Sequence, residues 1–172
     1  MHTTLFARKF FLSSIILSLL FLNGCSQTQI ASGTMMPSID NSQKVALYAL
    51  ENYTDTPKAG MRAANIAEGV LLAKGYQIDN RINNATRVMT LDQKISDARR
   101  HNDRYLFVGG VSEWRYKTGI DGEPAISLQF KLIDTASHRV IWSATGANSS
   151  WGNASIGTVA QELITTMLKK SK

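Results

Sequence analysis

The segment 124–149 constrains the fold more than any other part of the chain. Ile126, Leu128, Phe130 and Leu132 fall on one side of an extended backbone, and Ser127, Gln129 and Lys131 fall on the other. That is the period of two of a strand with one buried face. Asp134 to His138 is polar and turn-forming. A second run then puts Val140, Trp142 and Ala144 on one face. Two long runs joined by so short a turn predict an antiparallel hairpin. A sheet with one apolar face must be covered, so helices are required elsewhere in the chain.

The flanking sequence supplies them. Lys44 to Leu50 is a short apolar run suited to a buried strand. Thr56-Pro57 reads as a cap and first position of a helix that places Ala63, Ile66, Ala67, Val70 and Leu71 at helical spacing and stops at Gly75. Tyr76 to Ile82 suggests a second strand. Thr90-x-x-Gln93 matches a capping box, followed by Leu91, Ile95 and Ala98 on one stripe. Arg104 to Tyr116 is a long strand in which Gly109-Gly110 marks a bulge or a close backbone approach. A last helix from near Ser155 turns Ile156, Val159, Ala160, Leu163, Ile164, Met167 and Leu168 inward, with lysines at its end. The order is β-α-β-α-β-β-β-α. This is an α/β fold, a mixed sheet with three helices packed on it.

The N-terminus reads as an address. Arg8 and Lys9 precede Phe10 to Leu22, a mostly apolar stretch too short to span a bilayer comfortably. It ends at Leu22-Asn23-Gly24-Cys25, which resembles a bacterial lipobox, and Cys25 is the chain's single cysteine. The resemblance implies cleavage before Cys25, lipidation of its sulfur and acylation of its amine, a palmitate-type anchor that needs more than one chain for stable residence. Ser26 after the cysteine resembles the pattern of outer-membrane lipoproteins. The expected divisions are a signal peptide over 1–24, a lipidated flexible tether over 25–43, rich in small polar residues, and one periplasmic domain over 44–172. A periplasmic domain excludes nucleic acid as a partner. Losing Arg8 and Lys9 with the signal lowers the formal charge from +6 to +4.

Motifs for chemistry are absent. His2, His101 and His138 form no metal-ligand spacing. Ser155 in Gly152-Asn153-Ala154-Ser155-Ile156-Gly157 has one residue too many for a nucleophile elbow and reads as a helix cap. Asp121 and Glu123 are two residues apart on one loop, whereas glycosidase carboxylates face each other across a sugar. The reading is therefore of a protein that is not an enzyme and needs neither cofactor nor metal. Trp151, among small polar residues, suits either a core position or an exposed ring at a membrane or subunit contact.

Three stretches carry a resemblance. Trp114 to Ala125 (W-x-Y-K-T-G-I-D-G-E-P-A), Val140 to Ala147 with the Trp151 loop, and Asn52 to Gly60 (N-x-T-x-T-P-x-A-G) are similar to PelC lipoproteins of the Pel exopolysaccharide system. The hairpin from Asp134 to Trp142 is shared more widely, with periplasmic α/β lipoproteins of curli secretion and of penicillin-binding-protein activation. The resemblance implies a closed homo-oligomeric ring, a dodecamer, on the periplasmic side of the outer membrane. It implies a partner porin with periplasmic helical repeats (PelB-like), and an acidic lumen that guides a cationic exopolysaccharide in biofilm matrix export. It further implies Asp121 as a lumen acid, with Glu123 and Asp55 beside it, Trp151 at a membrane or subunit contact, and Cys25 as the lipid site.

A cationic polymer and a net positive chain require segregation of charge. Arg81, Arg87, Lys94, Arg99, Arg100 and Arg104 outnumber Asp92, Asp97 and Asp103 within 81–104. Those bases are expected outside the ring or against anionic lipid. The alternative is a lipoprotein binding module that activates or scaffolds an envelope enzyme or secretion channel.

Overall fold

The computed structural model describes residues 27–32 through their backbone, and 35–40, 42–83, 88–118, 122–150 and 154–169 in full. Seven strands form one mixed sheet: β1 (Gln27–Ser32), β2 (Lys44–Leu47), β3 (Glu51–Asn52), β4 (Gln77–Asn80), β5 (Tyr105–Tyr116), β6 (Pro124–Asp134) and β7 (Arg139–Ser149). Among the described residues, three helices accompany it: α1 (Ala59–Ala73), α2 (Leu91–Arg100) and α3 (Ile156–Met167). The strand order is β1-β7-β6-β5-β2-β4, with β3 pairing β5. The expected α/β architecture is the observed one.

Connectivity explains why helices lie on both faces. Strand β2 is parallel to both β4 and β5. The chain moves outward from β2 to β4 through α1, then back past β2 to β5 through α2. Right-handed crossovers in opposite directions put their helices on opposite faces. Accordingly Ala63, Ala67 and Leu71 of α1 join Val159, Leu163 and Ile164 of α3 in one core, together with Phe107, Phe130 and Trp142. Ile95 and Ala98 of α2 join a smaller core on the far side with Ala46, Tyr48 and Leu106.

The hairpin β6–β7 and its neighbour β5 are antiparallel, as the sequence predicts. Two bulges adjust their faces. The register shifts between Val111 and Glu113, which lets Val111 and Trp114 both turn into the larger core. It shifts again between Leu132 and Ile133, so that Val140 pairs Ile133 and Trp142 pairs Leu132. Val140, expected beside Trp142 on the inner face, is therefore exposed. Gly109 and Gly110 lie just before the first bulge and mark a close approach, the second of the two readings of that pair.

Other local expectations divide. The capping box of α2 has both arms: Thr90 Oγ1 accepts from Gln93 N, and Gln93 Oε1 accepts from Thr90 N. Gly75 adopts φ +83° after α1, and Tyr76 N donates to Leu71 O while Gly75 N donates to Leu72 O, which closes the helix end. Thr56 is not the cap of α1. The helix starts at Ala59 after Lys58, whose φ is 59°, and the Thr56 hydroxyl instead donates to Trp114 O at 2.5 Å. A tertiary acceptor on β5 outcompeted the local one.

Part of the segment read as tether carries structure. Strand β1 pairs β7 along its outer edge. Met36 is fully buried, its N–H donates to Lys169 O, and Tyr76 Oη donates to Pro37 O at 2.7 Å. The apolar residues Ile30, Met35, Met36 and Ile39 of this stretch sustain neither a strand nor a helix period, so the sequence alone does not show which of them is buried. The signal stretch 1–24 and Cys25 lie outside the described residues. Among those described, no helix is long and apolar enough to cross a membrane.

Candidate functional site

One end of the sheet carries Glu123 and adjoins the loop that holds Asp55. The C-terminal ends of β3, β5 and β7, the start of β6 and the start of α3 all meet there. Ser150 N donates to Pro124 O, and Ile156 N donates to Tyr116 Oη at 3.1 Å, which ties α3 to the end of β5. Asp121 and Trp151 belong to segments 119–121 and 151–153, outside the described residues. The described residues that bracket them, Thr118, Gly122, Ser150 and Ala154, belong to this end.

Glu123 is half-buried. Its carboxylate lies 3.5 Å from Lys117 Nζ, and its carbonyl accepts from Lys117 N at 2.7 Å. The pair holds the strand mouth closed and offsets much of the charge that Glu123 was expected to lend. Asp55 is exposed on the loop after β3. That loop is laced to itself and to β5. Asn52 Oδ1 accepts from Thr54 N and Thr54 Oγ1, Asn52 Nδ2 donates to Thr56 O, and Tyr53 N donates to Val111 O.

Sequence reasoning missed Tyr53. Its side chain is 65% exposed, whereas Tyr48 and Tyr76 are each 4% exposed. The Tyr53 ring rests on β5 at Gly110, where a Cβ would come 2.5 Å from Cε2. The Gly109-Gly110 pair was the available signal, since a glycine in a strand marks where something approaches the backbone. Glu113, beside this loop, pairs with Arg115 on its own strand. Glu51 pairs with Lys94 Nζ at 2.6 Å.

The basic segment 81–104 is not the free outer surface expected of it. Arg81 is buried, donating to Tyr48 Oη, Asp97 Oδ2 and Asp79 Oδ2 and pairing with Asp103. Arg100 pairs with Asp97, and Arg104 with Asp134. The Tyr48 hydroxyl and Arg100 hold the Asp97 carboxyl down to about 2, while burial pushes Asp103 up. Arg81–Asp97 and Lys94–Glu51 thus join α2 to the sheet, whereas Arg99 and Arg100 remain exposed. Arg87 lies outside the described residues. Among the described residues, no group of three or more His, Cys, Asp or Glu side chains is placed to hold a metal ion.

The same fold occurs in solved structures. The PelC dodecamer from Paraburkholderia phytofirmans superposes with a TM-score of 0.72 at 35% identity, covering 85% of this chain and 100% of that one. This chain belongs to the PelC family. A single-substitution variant of that PelC, also a dodecamer, matches at 36% identity and TM-score 0.71 over 83% of this chain and 96% of its own. Outside PelC, lipoprotein GNA1162 from Neisseria meningitidis shares the fold, with TM-score 0.55 and 15% identity over 72% of this chain and 94% of that one. No protein-family model matches the chain, and no curated protein matches it.

Proposed function

We propose that this PelC-family chain is a subunit of a homo-oligomeric ring, lipidated at Cys25 and held on the periplasmic face of the outer membrane. The ring guides a cationic exopolysaccharide toward an outer-membrane porin with periplasmic helical repeats, and so serves biofilm matrix export without catalysing a reaction. The observation that carries this reading is the similarity to a dodecameric PelC over that protein's whole length.

The physics is that of a charged channel. A lumen of one sign focuses the field and concentrates polymer of the opposite sign. A ring repeats each lumen acid once per subunit. Asp121 is the principal acid in this reading. Asp55 supports it, and Glu123 contributes less because Lys117 neutralises it. The ion pairs within 81–104 weaken the local field of that segment but leave the net charge unchanged, so the unpaired bases must face away from the lumen. Trp151 lies at a membrane or subunit contact.

The test has two parts. The mature lipidated chain in detergent is sized by light scattering; a ring mass supports the reading, and a monomer at high concentration overturns it. Asp121→Asn is then placed in the producing cell. Loss of secreted polymer with intracellular synthesis intact is the expected result, and unchanged secretion rejects the guiding role.

A further inference from the structure

We infer that Tyr53 and the two hollows flanking it form a sugar-binding subsite. It takes one hexopyranose unit of an amino-sugar polymer against the Tyr53 ring, with the ammonium directed toward Asp55. This rests on the ring-and-polymer reading above and assigns a contact that reading does not contain.

The ring is the first reason. An aromatic side chain exposed to this degree commonly belongs to a mobile loop, but Tyr53 is held. Its backbone donates to Val111 O, its neighbours Asn52, Thr54 and Thr56 are hydrogen-bonded to one another, and Thr56 is bonded to Trp114 O. Gly110 lets the ring settle on the strand, with Gln129 Nε2 close by. Little entropy remains to be lost when something packs on such a ring. The π face of an aromatic ring is electronegative, so it attracts the C–H face of a sugar and, more strongly, an ammonium group.

The hollows are the second reason. One, of about 190 Å³, is lined by Glu51, Lys94, Gln129 and Lys131. The other, of about 470 Å³, is lined by Thr54, Asp55, Ser112, Glu113 and Ser127. Tyr53 borders both, so it stands between them. The first is smaller than the roughly 300–1,000 Å³ of pockets that enclose a small molecule. Both are open, which suits units of a passing chain. Their walls offer hydroxyls, an amide and charges of both signs beside the apolar side chains of Leu91, Val108 and Trp114, a mixture that suits a sugar, which has polar edges and apolar C–H faces. Glu51 and Glu113 are each ion-paired, whereas Asp55 has no ion pair among the described residues. Asp55 is therefore the carboxylate best able to meet an ammonium. A shallow subsite also fits transport, in which each contact must release as readily as it forms.

The experiment titrates the mature lipidated chain in detergent with a hexamer of β-1,4-linked glucosamine and with its fully N-acetylated counterpart, reading assembly mass on each sample. Tyr53→Phe keeps both affinities within about twofold, and Tyr53→Ala weakens both about tenfold at unchanged mass. Asp55→Asn weakens only the glucosamine hexamer. If Tyr53→Ala binds both probes as the parent does, or if it changes the assembly mass and so marks a subunit contact, the subsite is overturned while the ring reading stands. If the parent is monomeric, the ring reading fails and the subsite with it; if the parent is a ring that binds neither probe, the subsite is overturned while the ring stands. Should Tyr53→Ala not fold, the unmutated chain decides. With 3-fluorotyrosine at its five tyrosines and the Tyr53 signal assigned by its loss in Tyr53→Phe, a shift on adding the hexamer supports the subsite, and no shift overturns it.

Discussion

Arg81 and Asp103 are salt-bridged where neither reaches water, with side-chain exposures of 5% and 0%. The bond crosses from the end of β4 to the loop after α2. It belongs to a network in which one guanidinium meets three carboxylates and a phenol hydroxyl. Arg81→Met removes the cation that all three carboxylates share. Breaking a buried pair by deleting one partner strands the other charge, at a cost of about 3–5 kcal/mol. Urea unfolding of the mature chain should show that loss. A change below about 1 kcal/mol would mean that water reaches the cluster.

The same cluster sets an acid limb of stability. Asp97 ionises at about 2 in the fold, held down first by the Tyr48 hydroxyl and then by Arg100. Unfolded, it ionises near 3.9. Its contribution is therefore complete above about pH 4 and is lost as the pH falls toward 2. Burial shifts Asp103 the opposite way, so its effect has the opposite sign and lies above about pH 4. Asp97→Asn should lower stability at neutral pH and flatten its fall between pH 4 and 2 in a denaturation series. An unaltered slope would assign the acid limb to other carboxylates.

Two glycines make a contrasting pair. A Cβ on Gly60 would meet the Leu50 carbonyl oxygen at 2.0 Å, against rigid backbone. A Cβ on Gly146 would meet Leu163 Cδ1 at 2.9 Å and Met167 Sδ at 3.0 Å, the movable ends of side chains. Gly146→Ala should cost about 1–3 kcal/mol as α3 shifts. Gly60→Ala should cost more than about 3 kcal/mol although alanine favours helix, because α1 cannot approach the sheet. Thermal melts of both variants rank them, and the reverse order would contradict the packing of α1.

The cap of α2 is a smaller effect with a local readout. Thr90→Ala removes one arm of the capping box and should cost about 1 kcal/mol. Hydrogen exchange should quicken at the first turn of α2 and stay unchanged in α1 and α3. Uniform quickening would show that α2 and the rest of the domain open together.

Anchoring is testable apart from folding. Cys25→Ser should move the protein from the membrane to the soluble periplasmic fraction with its circular dichroism unchanged, since acyl chains supply membrane residence at about 0.8 kcal/mol per buried methylene. Continued sedimentation with the membrane would exclude lipid at Cys25 as the anchor.

Much of this molecule was legible before any coordinates. The alternation from Ile126 to Leu132 and the turn at 134–138 specify the hairpin, because a period of two leaves no other way to bury those side chains. The Thr90–Gln93 box and the stop at Gly75 are local backbone chemistry, and local chemistry can be read from adjacent residues. Strand β1 and the burial of Met36 could not be read, since both depend on an edge and a helix end more than a hundred residues away. The faces of Val140 and Trp114 depended on bulges that only the packed sheet selects. Thr56 was a plausible cap until β5 offered its hydroxyl another acceptor.

For the site, the sequence by itself determined the lone Cys25, the loop acids and the resemblance that points to PelC. Tertiary structure decided which charges are free. It buried Arg81, paired Glu123 with Lys117, and left Asp55 exposed beside an aromatic ring. The physical reason is that charge counts add along a chain, whereas fields depend on distance and burial, and those are set only when α2, β5 and the loop after β3 come together.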